Sequence, residues 1–365
     1  MLLKFCVRVL ITATLTGLQP VSVFSQKSEK DSSQRVGVYP LPILFYTPET
    51  GVAGGAAALY IYRDTLAAAT RASAITADVI YSEKKQIVVE FSGDFYFGTS
   101  GHRLLTTVTA KKFPNSFFGI GNNTTSSDRE SYTPRTYFAR IVLYKNVYSH
   151  INVAPQVRYE STTMLETKQG GALASGTVPG SNGGVTSGLG CVVNWDSRDN
   201  TFSASSGSFY QLSLLLNRRA LGSDFSFSDV QADLRTFAEL LPSQILAAQV
   251  GCEIIDGTAP FRNLITYGGQ DFIRGYLEGQ YRDKAGIGGQ VEYRVPVWWR
   301  FGAVAFAGAA QVAPSPSQWS LHEFKFAGGA GIRFFLDPKE RVSIRIDMGF
   351  GSNSSGTYIT ANEAF

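Results

Sequence analysis

The chain has 365 residues, 13% of them aromatic and 17% charged, with 37 Gly and a formal net charge of +4. Charged residues fall below the quarter that is usual in soluble domains, yet no run approaches the ~20 apolar residues that a membrane helix needs. Lysine and arginine are spread along the chain without a cluster, which excludes nucleic acid as the partner. Short apolar–polar alternations, together with abundant Gly and aromatic residues, favour a sheet over a helical bundle.

The N-terminal residues predict export across the inner membrane. In residues 1–25, Lys4 and Arg8 precede a short apolar stretch that ends in small residues, which is the pattern of a cleaved signal peptide. The stretch is too short and too often interrupted by polar residues to be a membrane anchor. Residues 26–35 then form a short polar periplasmic segment, and residues 36–365 are predicted to be a single outer-membrane β-barrel.

Strand signals follow one another from there to the end of the chain. Apolar and polar side chains alternate with a period of two, which places them on opposite faces of a sheet. In the clearest case Ile344, Ile346 and Met348 alternate with Arg345 and Asp347. The same pattern recurs in residues 86–97, 151–160 and 289–297.

Alternation alone fits a soluble β-sandwich as well as a membrane barrel. Segments of about ten residues match tilted membrane strands, and aromatic rings such as those of Trp298 and Trp299 crowd the segment ends. We therefore predict an all-β fold, a transmembrane antiparallel β-barrel of about 16 strands in the cell outer membrane, with outer-membrane lipids as its surroundings. Such a barrel encloses a lumen that its own wall side chains cannot fill.

Three long connections interrupt the strands. Residues 115–131 are polar, and residues 169–186 are rich in Gly and Ser, so both are predicted to be external loops, the second of them flexible. Residues 256–284 instead hold aromatic and apolar side chains around two Gly pairs. A long loop of this composition is expected to pack against the rest of the protein.

Signals of catalytic chemistry are missing from the sequence. His102, His150 and His322 are far apart, no Gly-x-Ser-x-Gly motif occurs, and Gly-rich pieces have no following helix. We predict no catalytic residue, no cofactor and no metal site, and hence no enzyme. Cys191 and Cys252 are the two cysteines beyond the signal peptide, and export permits a disulfide between them without requiring one.

Several segments, taken in order, resemble one known family. Residues 196–200, 289–296 and 329–334 resemble its conserved turn and strands, and the chain closes on Phe365, which fits the barrel signal at the family's C-terminus. The best motif matches the (Val/Ile)-Arg-Gly-(Tyr/Phe) signature of the family's sixth extracellular loop and consists of Ile273, Arg274, Gly275 and Tyr276. The family is the bacterial surface antigen or outer-membrane assembly-factor superfamily, whose members include BamA and TamA.

The resemblance implies that the long loop joins the eleventh and twelfth strands and folds into the lumen. Family members hold the loop Arg by pairing it with acidic side chains on the following strands. Glu292 stands at the first such position, Gly308 replaces the usual second acid, and Asp271 is a substitute for it. The implied latch therefore consists of Arg274 and Glu292, and a bidentate Arg–carboxylate pair can fix a loop geometry.

The resemblance also implies a function. Assembly factors carry periplasmic POTRA modules ahead of the barrel, and the short predicted segment before the first strand matches the branch that has the barrel alone. We expect an assembly or translocation factor that inserts proteins or lipids with separate periplasmic or outer-membrane partner proteins. The alternatives are a passive solute pore and an anchoring or secretion barrel for a passenger made as another chain.

Overall fold

A computed structural model describes most of the chain, namely residues 37–62, 73–97, 102–200, 203–337 and 341–365. The predicted signal peptide, residues 1–25, and the polar segment, residues 26–35, lie outside the described residues. In the described part of the chain, no helix is long and apolar enough to cross a membrane.

Sixteen antiparallel strands form the wall of a closed barrel, as the sequence predicted. They are β1 Gly37–Thr47, β2 Gly51–Tyr62, β3 Ser73–Ser82, β4 Ile87–Phe97, β5 His102–Lys112, β6 Glu130–Tyr148, β7 Ile151–Thr167, β8 Gly183–Asp196, β9 Gly207–Asn217, β10 Phe227–Leu241, β11 Gln244–Gly257, β12 Ala285–Trp298, β13 Phe301–Ala313, β14 Lys325–Asp337, β15 Val342–Gly351 and β16 Ser354–Ala361.

The connections contain only short elements within the described residues. Three-residue strands lie at Asn115–Phe117, Ile265–Tyr267 and Tyr281–Asp283, and the last two pair with each other. Single turns of 3-10 helix lie at Ser126–Asp128, Arg219–Leu221, Phe261–Asn263, Pro316–Gln318 and Leu321–Glu323.

Each strand pairs with its neighbours in sequence, and β1 returns to β16 to close the sheet. The other neighbouring strands share ladders of eight or more residue pairs, whereas in the described residues β1 and β16 share one, Tyr46 opposite Ile359. Closure matters because an open sheet edge in hydrocarbon would leave backbone N–H and C=O groups without partners. The barrel therefore has a thin seam between its first and last strands.

The two faces of the wall have opposite polarity, and the apolar face is the outer one. On the outside, Phe91 is 57% exposed and Met348 is 51% exposed, while their inward neighbours Glu90 and Asp347 are both 0% exposed. A soluble protein would place these groups the other way round. The arrangement rules out the β-sandwich and fits a wall that meets lipid outside and encloses a polar lumen.

The two ends of the barrel also differ. At one end the strands are joined by two-residue turns at residues 149–150, 242–243 and 299–300, beside the exposed rings of Trp298 and Trp299. We call it the turn end, and by the usual orientation of such barrels it faces the periplasm. The opposite end, the loop end, carries the long connections and faces outward.

The Gly/Ser-rich connection is more ordered than its composition suggested. Its strand β8 begins at Gly183, and within the preceding loop Leu173 is 1% exposed and packs in the main hydrophobic cluster. The Leu173 N–H donates to a carboxylate oxygen of Glu130 at 3.1 Å, and Arg262 donates to the carbonyl of Gly180 at 2.8 Å. The prediction of a flexible loop was wrong because these contacts come from distant parts of the chain.

Candidate functional site

The connection between β11 and β12, residues 258–284, folds into the lumen as a compact structure. Its two short strands form a hairpin, and its apolar side chains form one buried cluster with the inner wall. The loop members of the cluster include Phe261, Ile265, Tyr267, Ile273 and Tyr276, and the wall members include Phe227, Ala310, Val312 and Ala327. The composition of the loop is therefore explained by its burial.

Arg274 lies at the inner tip of this loop and is 1% exposed. Its Nη2 donates to Glu292 on β12 at 2.6 Å, and its Nη1 donates to Asp347 on β15 at 2.5 Å. The guanidinium also stacks on the ring of Phe306, with its carbon 3.6 Å from the ring centroid. Arg suits this position better than Lys, because its planar guanidinium presents several fixed donors to the two carboxylates and stacks on an aromatic face.

Further arginines surround the two carboxylates. Arg294 donates to Glu292 at 2.7 Å, and Arg333 donates to Asp347 at 2.5 Å. These charges are buried, so each depends on its partners, and removing one partner from such a pair costs about 3–5 kcal/mol. The network ties the loop to three strands of the wall, β12, β14 and β15.

The electrostatics of Arg274 follow from this network. Burial alone would lower the pKa of the Arg274 guanidinium, but the charges of Glu292 and Asp347 outweigh burial and raise its pKa above the usual value. The side chain therefore carries its positive charge throughout the pH range in which the barrel exists. Arg274 therefore does not exchange protons, and its role is to hold the loop.

The other residues of the motif have distinct contacts. Ile273 is 2% exposed and has a left-handed φ of 44°, an uncommon conformation for a β-branched residue. Gly275 donates its N–H to the hydroxyl of Tyr358 at 3.1 Å, and its carbonyl accepts from Ser354 at 2.6 Å. The hydroxyl of Tyr276 donates to the carbonyl of Phe326 at 3.1 Å.

Glycines in β15 make room for the motif. A Cβ at Gly349 would overlap the carbonyl group of Arg274, and a Cβ at Gly351 would overlap the ring of Tyr276. Gly275 meets the same strand, because its own Cβ would lie 2.8 Å from the backbone N of Phe350. Glycine inside a strand commonly marks such a close approach of another chain segment.

The structure brings together Arg274 and Glu292, which the sequence singled out, and adds a residue that it missed. Asp347 on β15 is the second carboxylate on Arg274, whereas Gly308 on β13 supplies none. Asp271 does not take that place, because it accepts from Arg345 at 2.8 Å. In the sequence, Asp347 could have been recognised as a partner because it falls on the polar face of its predicted strand, close to the glycines at 349 and 351.

Phe365, predicted to be a barrel signal, is 7% exposed and lies inside the turn end, with the guanidinium of Arg294 5.6 Å from its ring centroid. Its role as a signal stays a prediction. Among the described residues, no group of three His, Cys, Asp or Glu side chains could hold a metal ion. Cys191 and Cys252 are both free thiols.

A closed sixteen-stranded barrel with an apolar exterior and a loop fixed in its lumen by a buried Arg defines a class of outer-membrane protein. Residues 71–350 match the family model of the Omp85 superfamily domain. The chain therefore belongs to the Omp85 superfamily and is an outer-membrane protein, which confirms the family resemblance and the predicted location. Comparison with curated protein sequences gives no significant match.

Solved structures support the fold. BamA from Haemophilus ducreyi lacking POTRA domains 1-3 is 13% identical, with a TM-score of 0.64 over 90% of this chain and 70% of that chain. CdiB from Acinetobacter baumannii is 10% identical, with a TM-score of 0.60 over 89% of this chain and 59% of that one. CdiB from Escherichia coli is 9% identical, with a TM-score of 0.59 over 89% and 62% of the two chains. The chain thus spans less than two thirds of either CdiB.

Proposed function

We propose that the chain assists the insertion or translocation of proteins or lipids at the outer membrane, together with separate partner proteins. Membership of the Omp85 superfamily and the likeness in fold to BamA and CdiB support this class of function. The observation that carries it is the thin seam between β1 and β16. The function requires no enzymatic reaction.

The seam offers a binding edge to another polypeptide. Within the described residues, Tyr46 is the one residue of β1 with a ladder partner on β16, so the rest of this edge of β1 lies next to β16 without a regular ladder to it. Unpaired N–H and C=O groups are templates for strand addition, and in hydrocarbon each unsatisfied group costs several kcal/mol. An incoming strand would therefore be stabilised at this edge more than at any fully paired position.

The loop motif has a matching role in this proposal. Arg274 joins the loop to β12 and β15, Gly275 donates to Tyr358 within β16, and Tyr276 contacts Ser352 in the turn between β15 and β16. We infer that this latch keeps the half of the barrel next to the seam in one shape while the seam opens. The latch would thus hold the neighbouring strands in place while β1 and β16 separate.

A passive solute pore is the second candidate. Beside the loop the lumen keeps a cavity of about 380 Å³, lined by polar and charged groups that include Arg158, Asp229 and Glu253. The inserted loop lines this cavity through residues such as Asp271 and Phe272, so we expect a large and steady conductance to require that the loop move. Single-channel recording of the unmodified barrel separates the two candidates, since a large and steady current favours the pore.

A disulfide across the seam tests the proposal directly. Tyr46→Cys with Ile359→Cys places two cysteines on opposing residues, in a chain that also carries Cys191→Ser and Cys252→Ser. The barrel is placed in liposomes, and a urea-unfolded small outer-membrane barrel protein is added as substrate. We expect oxidation to reduce the folding of the substrate to its rate in protein-free liposomes, and reduction to restore it.

The control uses the same chemistry at a fully paired position. Val38→Cys with Tyr60→Cys joins β1 to β2, and oxidation there should leave substrate folding unchanged. If the oxidised seam variant catalyses folding as fast as its reduced form, opening of the seam is not the mechanism and the proposal is wrong.

A further inference from the structure

The last residues of the chain turn into the lumen after β16 ends at Ala361. Asn362 has a left-handed φ of 60°, and its N–H donates to the carbonyl of Ser343 at 2.7 Å. Asn adopts this conformation more readily than most residues, so the change of chain direction at Asn362 costs little free energy. Residues 362–365, which we call the tail, are therefore directed away from the wall.

The tail places one carboxylate among the buried arginines. The side chain of Glu363 is 1% exposed, accepts from Arg333 Nε at 2.7 Å and lies 3.8 Å from Arg294 Nε. It thereby completes a closed ring in which Arg and acid alternate. The members, in order, are Arg274, Glu292, Arg294, Glu363, Arg333 and Asp347.

The end of the tail fills an apolar recess at the turn end. Phe365 packs with Ala204, Phe237 and Ala247, and its ring centroid is 6.4 Å from that of Phe237. Its carbonyl accepts from Arg294 Nη2 at 3.1 Å. The neighbouring Ala364 lines the same lumenal cavity as Asp271 and Phe272 of the inserted loop, so tail and loop are two walls of one space.

Balance of charge couples the tail to the loop. With Glu363 in place, four buried or nearly buried arginines meet four carboxylates: Arg274, Arg294, Arg333 and Arg345 against Asp271, Glu292, Asp347 and Glu363. Without Glu363, three carboxylates remain, and Arg294 and Arg333 turn more fully to Glu292 and Asp347. These are the two acids that hold Arg274, so competition for them weakens the hold on the loop.

We propose that Arg294, Arg333 and the recess around Phe237 form a binding site for a peptide with a carboxylate two residues before an aromatic ring, and that the tail is its built-in ligand. The bound tail closes the turn end of the lumen and keeps the loop fixed. Release of the tail opens that end and loosens Arg274. A segment of another chain with the same pattern competes for the site.

Glu363→Gln tests the coupling because it removes the charge and keeps the size of the side chain. Proteins are refolded from urea into bilayers, and folded molecules are identified by heat-modifiable mobility on gels. We expect the open probability in single-channel recordings to rise roughly tenfold, as the loss of a charge-assisted hydrogen bond predicts. Arg274→Ala, which removes the loop's own anchor, is the reference for a released loop.

The matched control is Glu239→Gln, which removes an exposed carboxylate near the same end of the barrel and should leave the trace unchanged. A second test deletes residues 363–365 and adds the synthetic peptide Asn-Glu-Ala-Phe. Closure by this peptide, and not by Asn-Gln-Ala-Phe, is the expected result. The proposal is overturned if Glu363→Gln matches the unmodified protein while Arg274→Ala opens, or if both peptides act alike.

Discussion

Gly275 shows how much one residue of the loop motif is constrained. Its φ is 122°, and a Cβ added to it would lie 2.8 Å from the backbone of β15, so there is no room for a side chain. Gly222 is a matched control, because its φ of 84° is also positive and nothing lies within 4 Å of the place that its Cβ would take. At both positions a side chain would strain the backbone, because φ is positive. At Gly275 the side chain would also collide with β15.

We predict that Gly222→Ala lowers the free energy of unfolding by about 1–2 kcal/mol through backbone strain alone. Gly275→Ala should cost about 1–3 kcal/mol more because the new methyl group collides with β15. Urea unfolding of both variants in the same detergent provides the comparison. Equal losses in the two variants would mean that the motif does not press against β15.

The sequence revealed part of this site and could not reveal the rest. The pair Arg274–Glu292 is separated by only 18 positions, and both residues fall in recognisable segments. Asp347 is 73 positions from Arg274, and only the closure of the barrel brings β15 beside the loop. Alternation places Asp347 on the inner face but does not select it among the other inward charges, such as Arg345.

At the scale of elements, the turn before β9 illustrates a charge that acts outside the membrane. Asp199 accepts from Ser205 Oγ at 2.6 Å, from the Ser206 N–H at 3.1 Å and from Arg341 at 2.7 Å. Partial burial would raise the pKa of Asp199, but these hydrogen bonds outweigh burial and lower its pKa below the usual value. The turn is thereby joined to the start of β15.

The lowered pKa of Asp199 fixes the sign of a pH dependence. The folded protein binds fewer protons at this site than the unfolded chain, so the stabilisation is complete above about pH 4 and is lost as pH falls further. We predict that Asp199→Asn lowers the free energy of unfolding by about 1–2 kcal/mol at pH 7 and by less at pH 3. Urea unfolding across this pH range is the measurement. Asp256→Asn, at an exposed position, is the control, and a constant difference between Asp199→Asn and the unmodified protein would contradict the assignment.

Elements were predicted more reliably where the signal was local. The period of two located the strands, because side-chain alternation is set by each strand's own residues. The connection at residues 169–186 was misjudged, because Gly and Ser describe the freedom of the isolated chain. Its order comes from Leu173 and Gly180 meeting the inserted loop, a contact between distant segments.

At the scale of the whole molecule, the barrel inverts the usual distribution of polarity. Its interior holds many buried Arg, Glu, Asp and Gln side chains beside the apolar cluster of the loop, and its exterior carries exposed Val, Leu, Ile and Phe. In water that exterior would drive aggregation, whereas in a bilayer it meets a solvent as apolar as itself. The same charged lumen that would be costly in a dry core is feasible here because its charges pair with one another.

A charged residue on the outer face should therefore destabilise the barrel most where that face meets the hydrocarbon of the bilayer. Ile346 lies in the middle of β15, faces outward and is 43% exposed, while Val342 begins the same strand at the turn end. We predict that Ile346→Arg lowers the free energy of unfolding in bilayers by about 2–4 kcal/mol, and that Val342→Arg lowers it by about 0–1 kcal/mol. Both changes introduce the same group on one face of one strand in place of a β-branched side chain. The difference between them thus isolates depth in the membrane. Urea unfolding in liposomes measures it, and equal effects at the two positions would mean that this face does not lie across the hydrocarbon.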